Sequence, residues 1–294
     1  MKLLKGIIIS LRPHQWIKNG FLYAGIVFGG KFFDLEALIL ATAGFAAFCA
    51  LASGIYYLND LRDIEADRNH PTKRNRPIAA GIVPRSLALV IGILLIAGGL
   101  ALSFSLGIPF GIAGTSYVAL QFAYTLFLKR LPILDILAVA AGFVIRAAAG
   151  GIVVEVPISS WLLVCTSLIA LFLVTEKRRQ ELARIEGNDI ADVRSRPLLE
   201  KYSIEFLDQL AMIEIAATIV GYMLYVFAAE TRARFGYGMG ATIPFVFYGL
   251  FRYLWLVNLK KAGESPTRIF LTDLPSIINM ILWCITVFVV YYST

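Results

Sequence analysis

Residues 86–128 read SLALVIGILLIAGGLALSFSLGIPFGIAGTSYVALQFAYTLFL and contain no Asp, Glu, Lys or Arg. A helix needs about 20 residues to cross the hydrocarbon core of a bilayer, so this stretch has length for two crossings. The Gly107-Ile108-Pro109 sequence near its middle marks the turn between them. Working outward, residues 37–58 and 156–175 are uncharged stretches of span length, and residues 131–154, 206–229, 235–256 and 274–292 are apolar enough to join them. A shorter, Gly-rich stretch at 19–33 completes an expected set of about nine transmembrane helices. Hydrophobic residues make up 59% of the 294 and charged ones 16%, where a soluble protein carries roughly a quarter charged. The excess apolar surface has to face lipid, and the expected class is an all-α, multi-pass membrane protein.

The basic residues set an orientation. Of 27 Lys and Arg, 23 fall in the segments that alternate with spans on the side of the N-terminus, while the opposite side holds Lys31, Arg232 and Arg234, and Arg146 lies within a span. That asymmetry puts the N-terminus and the long basic loops on the cytoplasmic side. Residues 1–12 are basic and apolar, but no small-residue cleavage site follows a clean apolar core, so they read as an interfacial helix that stays attached. The net charge of +7 is a topology signal, and nothing in its distribution suggests a nucleic-acid partner. Cys49, Cys165 and Cys284 fall in expected spans with no disulfide or metal spacing.

The most informative polar stretch follows the second span: Asn59-Asp60-Leu61-Arg62-Asp63-Ile64-Glu65-Ala66-Asp67-Arg68, then His70-Pro71-Thr72-Lys73-Arg74-Asn75-Arg76-Pro77. On a continuing helix Asp60, Asp63 and Asp67 stand at i, i+3 and i+7, on one face, with Asn59 at its border. Carboxylates stacked so closely repel one another unless a cation sits among them. Hard oxygen ligands of this kind suit Mg2+, which bridges one or two carboxylates to substrate phosphates. Lys73, Arg74 and Arg76 then follow as partners for phosphate oxygens. The plain alternative is a solvated helix end whose Asp63 and Asp67 pair locally with Arg62 and Arg68.

A second polar stretch, Thr175-Glu176-Lys177-Arg178-Arg179-Gln180-Glu181, follows the sixth span and sets Lys177 and Glu181 at i, i+4. Arg12, Lys18 and Asn19 stand at the start of the first span. Asp135 and Arg146 in the fifth span, and Asp208 and Glu214 in the seventh, are intramembrane charges expected to face the protein interior.

Asn59, Asp60, Asp63 and Asp67 match the NDxxDxxxD motif of the UbiA superfamily of intramembrane prenyltransferases, which the chain resembles over nearly its whole length. The resemblance implies a single domain over residues 1–294 with its helices around a central cavity open to the cytoplasmic side of the cell membrane. It also implies that Asp60, Asp63 and Asp67 bind Mg2+ and a substrate diphosphate. The second Asp-rich motif of that family is absent, and Glu176 to Glu181 stand in its place. Together with 12–19, 177–182, 196–202 and 266–273, this substitution resembles the decaprenyl-phosphate phosphoribosyltransferase branch. That branch implies phosphoribosyl pyrophosphate as donor and a polyprenyl phosphate as acceptor, with the lipid phosphate attacking C1 of the ribose. A phosphate nucleophile is already anionic, so no general base is needed, in keeping with only two histidines, His14 and His70. Lys18, Lys73, Arg76, Lys177 and Arg178 are the candidates for the sugar and lipid phosphates, with Asn59 and Glu181 beside them.

Two other readings stay open at this point. Prenyl transfer to an aromatic acceptor would use the same Mg2+ site but calls for a second acidic cluster. A transporter or binding protein for an anionic lipid would show internal repeats and paired broken helices, and neither is clear. The sequence also leaves open a homo-oligomer.

Overall fold

The computed structural model describes residues 2–157, 160–186, 198–259 and 272–293, all of it helix, turn and connecting chain. Among the described residues seven helical segments are long and apolar enough to cross a membrane: Leu35–Arg62, Arg85–Ser105, Ile108–Arg130, Leu134–Val153, Ile204–Phe227, Gly238–Asn258 and Leu274–Ser293. Of the stretch expected as the sixth span, residues 160–175 lie in a further 27-residue helix, Ser160–Glu186. The stretch expected as the first span is not one helix: Pro13–Tyr23 winds as 3-10 turns and Ala24–Gly29 as a short α-helix. The reason is close backbone packing. A Cβ on Gly25 would lie 2.4 Å from the carbonyl oxygen of Gly150, and one on Gly150 would lie 2.2 Å from that of Leu22. The segment is shaped to lie against its neighbour, and its glycines permit the approach at the expense of helix propensity.

The described residues fall into two compact units. The first contains α1 (Lys2–Leu11), the 3-10 segment, α2 (Ala24–Gly29), α3 (Leu35–Arg62), α4 (Ile64–Arg68), α5 (Arg85–Ser105), α6 (Ile108–Leu126) and α7 (Leu134–Val153). Asp34 caps α3, its carboxylate accepting the Ala37 N–H at 3.0 Å, which satisfies one of the donors a helix start leaves open. The break between α5 and α6 falls at Gly107, whose φ of 127° only glycine adopts without strain, and Pro109 follows in the first turn of α6. The core of this unit gathers Leu22, Phe48, Leu51, Phe110, Tyr117 and Val153, with Phe48 edge-on to Phe110 at 5.7 Å. By contrast Leu89, Val90, Ile93 and Leu94 of α5 are about half exposed, an outward apolar face that suits lipid. α1 leaves Leu3, Leu4, Ile8 and Ile9 exposed and is tied to α3 by the Tyr57 hydroxyl, which donates to the Ile7 carbonyl at 2.8 Å.

The second unit holds α8 (Ser160–Glu186), α9 (Ile204–Phe227), α10 (Ala229–Phe235), α11 (Ile243–Leu259) and α12 (Leu274–Ser293). Ser203 caps α9 through the Phe206 N–H at 3.1 Å. Phe172, Ala211, Ile215, Tyr253 and Leu256 make one core cluster, and Tyr222, Val226, Phe235, Met239, Val287 and Val290 make another. The cysteines are free: Cys49 is buried and accepts the Asn19 amide, Cys165 is half-buried and Cys284 is exposed.

Candidate active site

The Asp-rich stretch begins on α3 and continues past a break. Asp60 lies in the last turn of α3, Asp63 caps the helix with its N–H on the Asn59 carbonyl at 2.9 Å, and Asp67 lies on α4. The interruption at Asp63 splits the face that an unbroken helix would have made. Asp60 and Asp67 are both buried and come together, since one nitrogen of Arg76, Nη1, donates to Asp60 Oδ1 at 3.2 Å and to Asp67 Oδ2 at 2.7 Å. Asp63 is more exposed and stands 3.8 Å from the Lys129 ammonium. Asn59, next to Asp60 on α3, is half-buried, and so is Lys73 in the loop after α4.

Neither local arginine serves these carboxylates. Arg62 donates to the Thr125 carbonyl and Arg68 to that of Ala79. The site's cations come from farther along the chain: Arg76 from the loop after α4, and Arg12, whose Nη2 donates to Asp60 Oδ1 from 48 residues upstream. The contact of Arg12 with Asp60 carries no sequence signal, since nothing in its spacing marks it.

His70 accepts the backbone N–H groups of Thr72 and Lys73 at Nδ1, at 3.2 and 3.3 Å, and so folds the loop that presents Lys73 and Arg76. His14 is held below its ordinary value by partial burial first and then by the charges of Arg12 and Lys18, which keeps it neutral at pH 7.

The same unit buries a second polar cluster. The guanidinium of Arg146 donates to Asn19 Oδ1 at 2.7 Å, to the Gly142 carbonyl at 2.8 Å and to the Tyr117 hydroxyl at 2.8 Å, stacked over the Tyr117 ring. It ties the segment carrying Arg12 and Lys18 to α6 and α7, a role that an intramembrane charge alone did not specify. Asp135 is fully buried near the start of α7.

In the second unit Arg178 is buried and donates to Glu181 Oε2 at 2.9 Å, with the more exposed Lys177 at 3.9 Å from the same carboxylate. Arg179 pairs with Asp208 and reaches Asn258. The Thr175 hydroxyl donates to Glu214 Oε1 at 3.0 Å. Among the described residues Oε2 of Glu176 and Oε2 of Glu214 meet no hydrogen-bond donor, although both side chains are buried. Arg194, Arg196, Lys260, Lys261 and Arg268, and the resemblance stretches at 196–197 and 266–271, lie outside the described residues.

A divalent cation fits the first unit's donor set. No group of three His, Cys, Asp or Glu closes on one point among the described residues. Two hard carboxylates do converge on a single cationic nitrogen, the arrangement a magnesium ion needs when substrate phosphates and water complete its shell.

Residues 20–285 match the model of the UbiA prenyltransferase family. A decaprenyl-phosphate phosphoribosyltransferase of Mycolicibacterium smegmatis is 36% identical, the match covering 99% of this chain and 94% of that protein. One from Mycobacterium tuberculosis is 34% identical over 97% of this chain and 94% of its own length. The fold resembles a UbiA homolog from Archaeoglobus fulgidus solved bound to GPP and Mg2+, with a TM-score of 0.73, 19% identity, and 98% of this chain and 99% of that one covered.

Proposed function

The chain belongs to the UbiA prenyltransferase family, and from that membership we propose that it transfers 5-phosphoribose from phosphoribosyl pyrophosphate to a polyprenyl phosphate of the decaprenyl kind, releasing pyrophosphate. The observation that carries this reading is the similarity to decaprenyl-phosphate phosphoribosyltransferases at 34–36% identity over nearly the full length of both chains. The family match runs across both compact units, which supports treating residues 1–294 as one functional membrane domain.

In this reading an oxygen of the lipid phosphate forms a bond to C1 of the ribose as the bond from C1 to pyrophosphate breaks. Asp60 and Asp67, with Asp63, are the residues that would hold Mg2+, which when bound neutralises charge growing on the leaving pyrophosphate. Arg76 and Lys73 stand in the loop beside those carboxylates and are assigned to phosphate oxygens, with Asn59 lining the border. Lys18 in the first unit is assigned to substrate phosphate, and Lys177, Arg178 and Glu181 of the second unit are assigned to substrate as well. Arg and Lys in place of a second acidic cluster suit a donor carrying an extra phosphate, since cations recognise phosphate where carboxylates need a bridging metal. The excess of Lys and Arg on one side supports a cytoplasmic N-terminus and cytoplasmic access for a soluble donor, in the inner cell membrane.

The test is donor choice. The full chain in lipid nanodiscs, given Mg2+ and either polyprenyl phosphate or an aromatic acceptor, receives either phosphoribosyl pyrophosphate or geranylgeranyl diphosphate, and released pyrophosphate is counted. Release with the phosphoribosyl donor alone is expected. Preference for the prenyl donor, together with an aromatic acceptor, would move the chain to prenyl transfer.

A further inference from the structure

The face of α3 that leads into the Asp-rich stretch is already engaged. Ser53, Tyr56 and Asp60 stand three and four residues apart on one side of the helix, and all three hold the segment that follows α1. The Ser53 hydroxyl donates to the Leu11 carbonyl at 2.9 Å and receives the Trp16 indole N–H at 3.0 Å. The Tyr56 ring lies beneath the Arg12 guanidinium at 4.9 Å, and Asp60 accepts its Nη2. Arg12 itself adopts φ 54° and ψ 59°, a left-handed conformation that a non-glycine residue keeps only where its surroundings impose it. One basic side chain is therefore aimed at the Asp60 carboxylate by its backbone, by a ring and by two flanking hydrogen bonds.

The charge arithmetic of the site then matters. Two buried carboxylates, Asp60 and Asp67, are balanced by two guanidiniums, those of Arg12 and Arg76, and both guanidiniums meet the same oxygen of Asp60. A divalent cation entering alone would have to displace guanidiniums from the Asp60 oxygen that both of them meet. Leaving them unpaired in a partly buried place is costly. A cation entering with a diphosphate brings both the metal for the carboxylates and the acceptors for the guanidiniums.

We propose that Arg12 is a resident counter-ion of this site, passed from the Asp60 carboxylate to the anion, so that the site takes a divalent cation together with a diphosphate and resists the cation alone. This rests on the metal-binding role given to Asp60 and Asp67 above, and adds Arg12 to the residues that touch the leaving group.

The test reads binding, not turnover. Mn2+ is titrated into the full chain in nanodiscs and followed by its electron paramagnetic resonance, with and without inorganic pyrophosphate. Wild type is expected to bind Mn2+ weakly alone and at least about tenfold more tightly with pyrophosphate, a difference of about 1.4 kcal/mol. In Arg12→Gln, Mn2+ alone should bind about tenfold more tightly than in wild type, about 1.4 kcal/mol, while the gain from pyrophosphate shrinks by a similar factor. Arg12→Lys, which keeps the charge, should stay near wild type in both. A merely structural role for Arg12 would weaken both titrations together. If Arg12→Gln binds Mn2+ no more tightly than wild type, while Asp60→Asn loses binding of Mn2+ with pyrophosphate, the counter-ion role is overturned and the metal site stands. If Asp60→Asn binds Mn2+ with pyrophosphate as wild type does, the metal site fails and the proposal fails with it.

Discussion

Arg76 donates from Nη1 to Asp67 Oδ2 at 2.7 Å and joins a buried carboxylate on α4 to the loop that follows it. The same nitrogen reaches Asp60, so a single substitution unties both. Arg76→Ala is expected to lower kcat/KM for the phosphoribosyl donor by about one to two orders of magnitude, the loss of a charge-assisted hydrogen bond of roughly 1.5–3 kcal/mol. Arg76→Lys should recover part of it. Steady-state kinetics at normal expression decides, and wild-type turnover in Arg76→Ala would remove this arginine from the mechanism.

Asp63 provides a contrast within the same motif. Its visible partner is Lys129 at 3.8 Å, a partly exposed ion pair of a kind that contributes about 0–1 kcal/mol. If Asp63 serves only that pair, Asp63→Ala and Lys129→Ala will behave alike and mildly. The metal reading predicts otherwise: Asp63→Ala abolishes activity, as Asp60→Ala does, while Lys129→Ala stays within a few-fold of wild type.

Much of this architecture was legible in the residues. The uncharged run at 86–128 told of two spans and a Gly-Pro turn, and α5 and α6 meet at Gly107 as expected. The basic loop after the Asp-rich stretch was also legible, because Arg76 is close in sequence to the carboxylates it serves. What escaped were relationships set by tertiary packing. The segment at 19–33 has the apolar content of a span, but backbone contact between Gly25 and Gly150 decides its shape, and periodicity does not encode such a contact. Asp63 fell on the helix face by spacing, yet α3 ends there. Arg12 and Asp60, and Arg146 and Asn19, meet across 48 and 127 residues, distances at which a single sequence offers no pattern.

Lys177 and Arg178 test whether the basic replacement of a second acidic motif is chemical or topological. Lys177→Ala or Arg178→Ala should each lower kcat/KM for the phosphoribosyl donor by about one to two orders of magnitude if each contributes a charge-assisted hydrogen bond. Arg130→Ala, an exposed basic residue elsewhere on the same predicted side, should be nearly silent. Equal and small effects at all three positions would reduce the Lys177 segment to a membrane anchor. Because Arg178 is buried against Glu181, its variant needs a folding control, for which Arg178→Lys serves.

Asp273 predicts a pH effect on stability that is separate from catalysis. Its carboxylate caps α12, accepting the Ser276 N–H at 3.0 Å and hydroxyl at 2.7 Å, and it takes a two-pronged contact from Arg252 at 2.6 and 2.9 Å. The Arg252 hydrogen bond first, and the Ser276 bonds after it, hold the Asp273 carboxyl well below the usual carboxylate range. A depressed folded-state value means the stabilisation is present in full above about pH 4, the unfolded value, and is lost as the pH falls below it. Asp273→Ala removes the cap, worth about 0.5–2 kcal/mol, and should lower the thermal midpoint in detergent at pH 7. The difference from wild type should narrow as the pH falls below 4, and a difference independent of pH would contradict the assignment.

The central claim is the transfer itself, and the product tests it most directly. The purified full chain is incubated with isotopically labelled phosphoribosyl pyrophosphate and a polyprenyl phosphate, with Mg2+ or with a chelator, and the extracted lipid is weighed by mass spectrometry. The account predicts a labelled lipid heavier by one phosphoribosyl group, formed with one pyrophosphate per turnover, and absent with chelator and in Asp60→Asn. An unmodified lipid in the presence of Mg2+, or a phosphoribosyl lipid formed equally by Asp60→Asn, would contradict it.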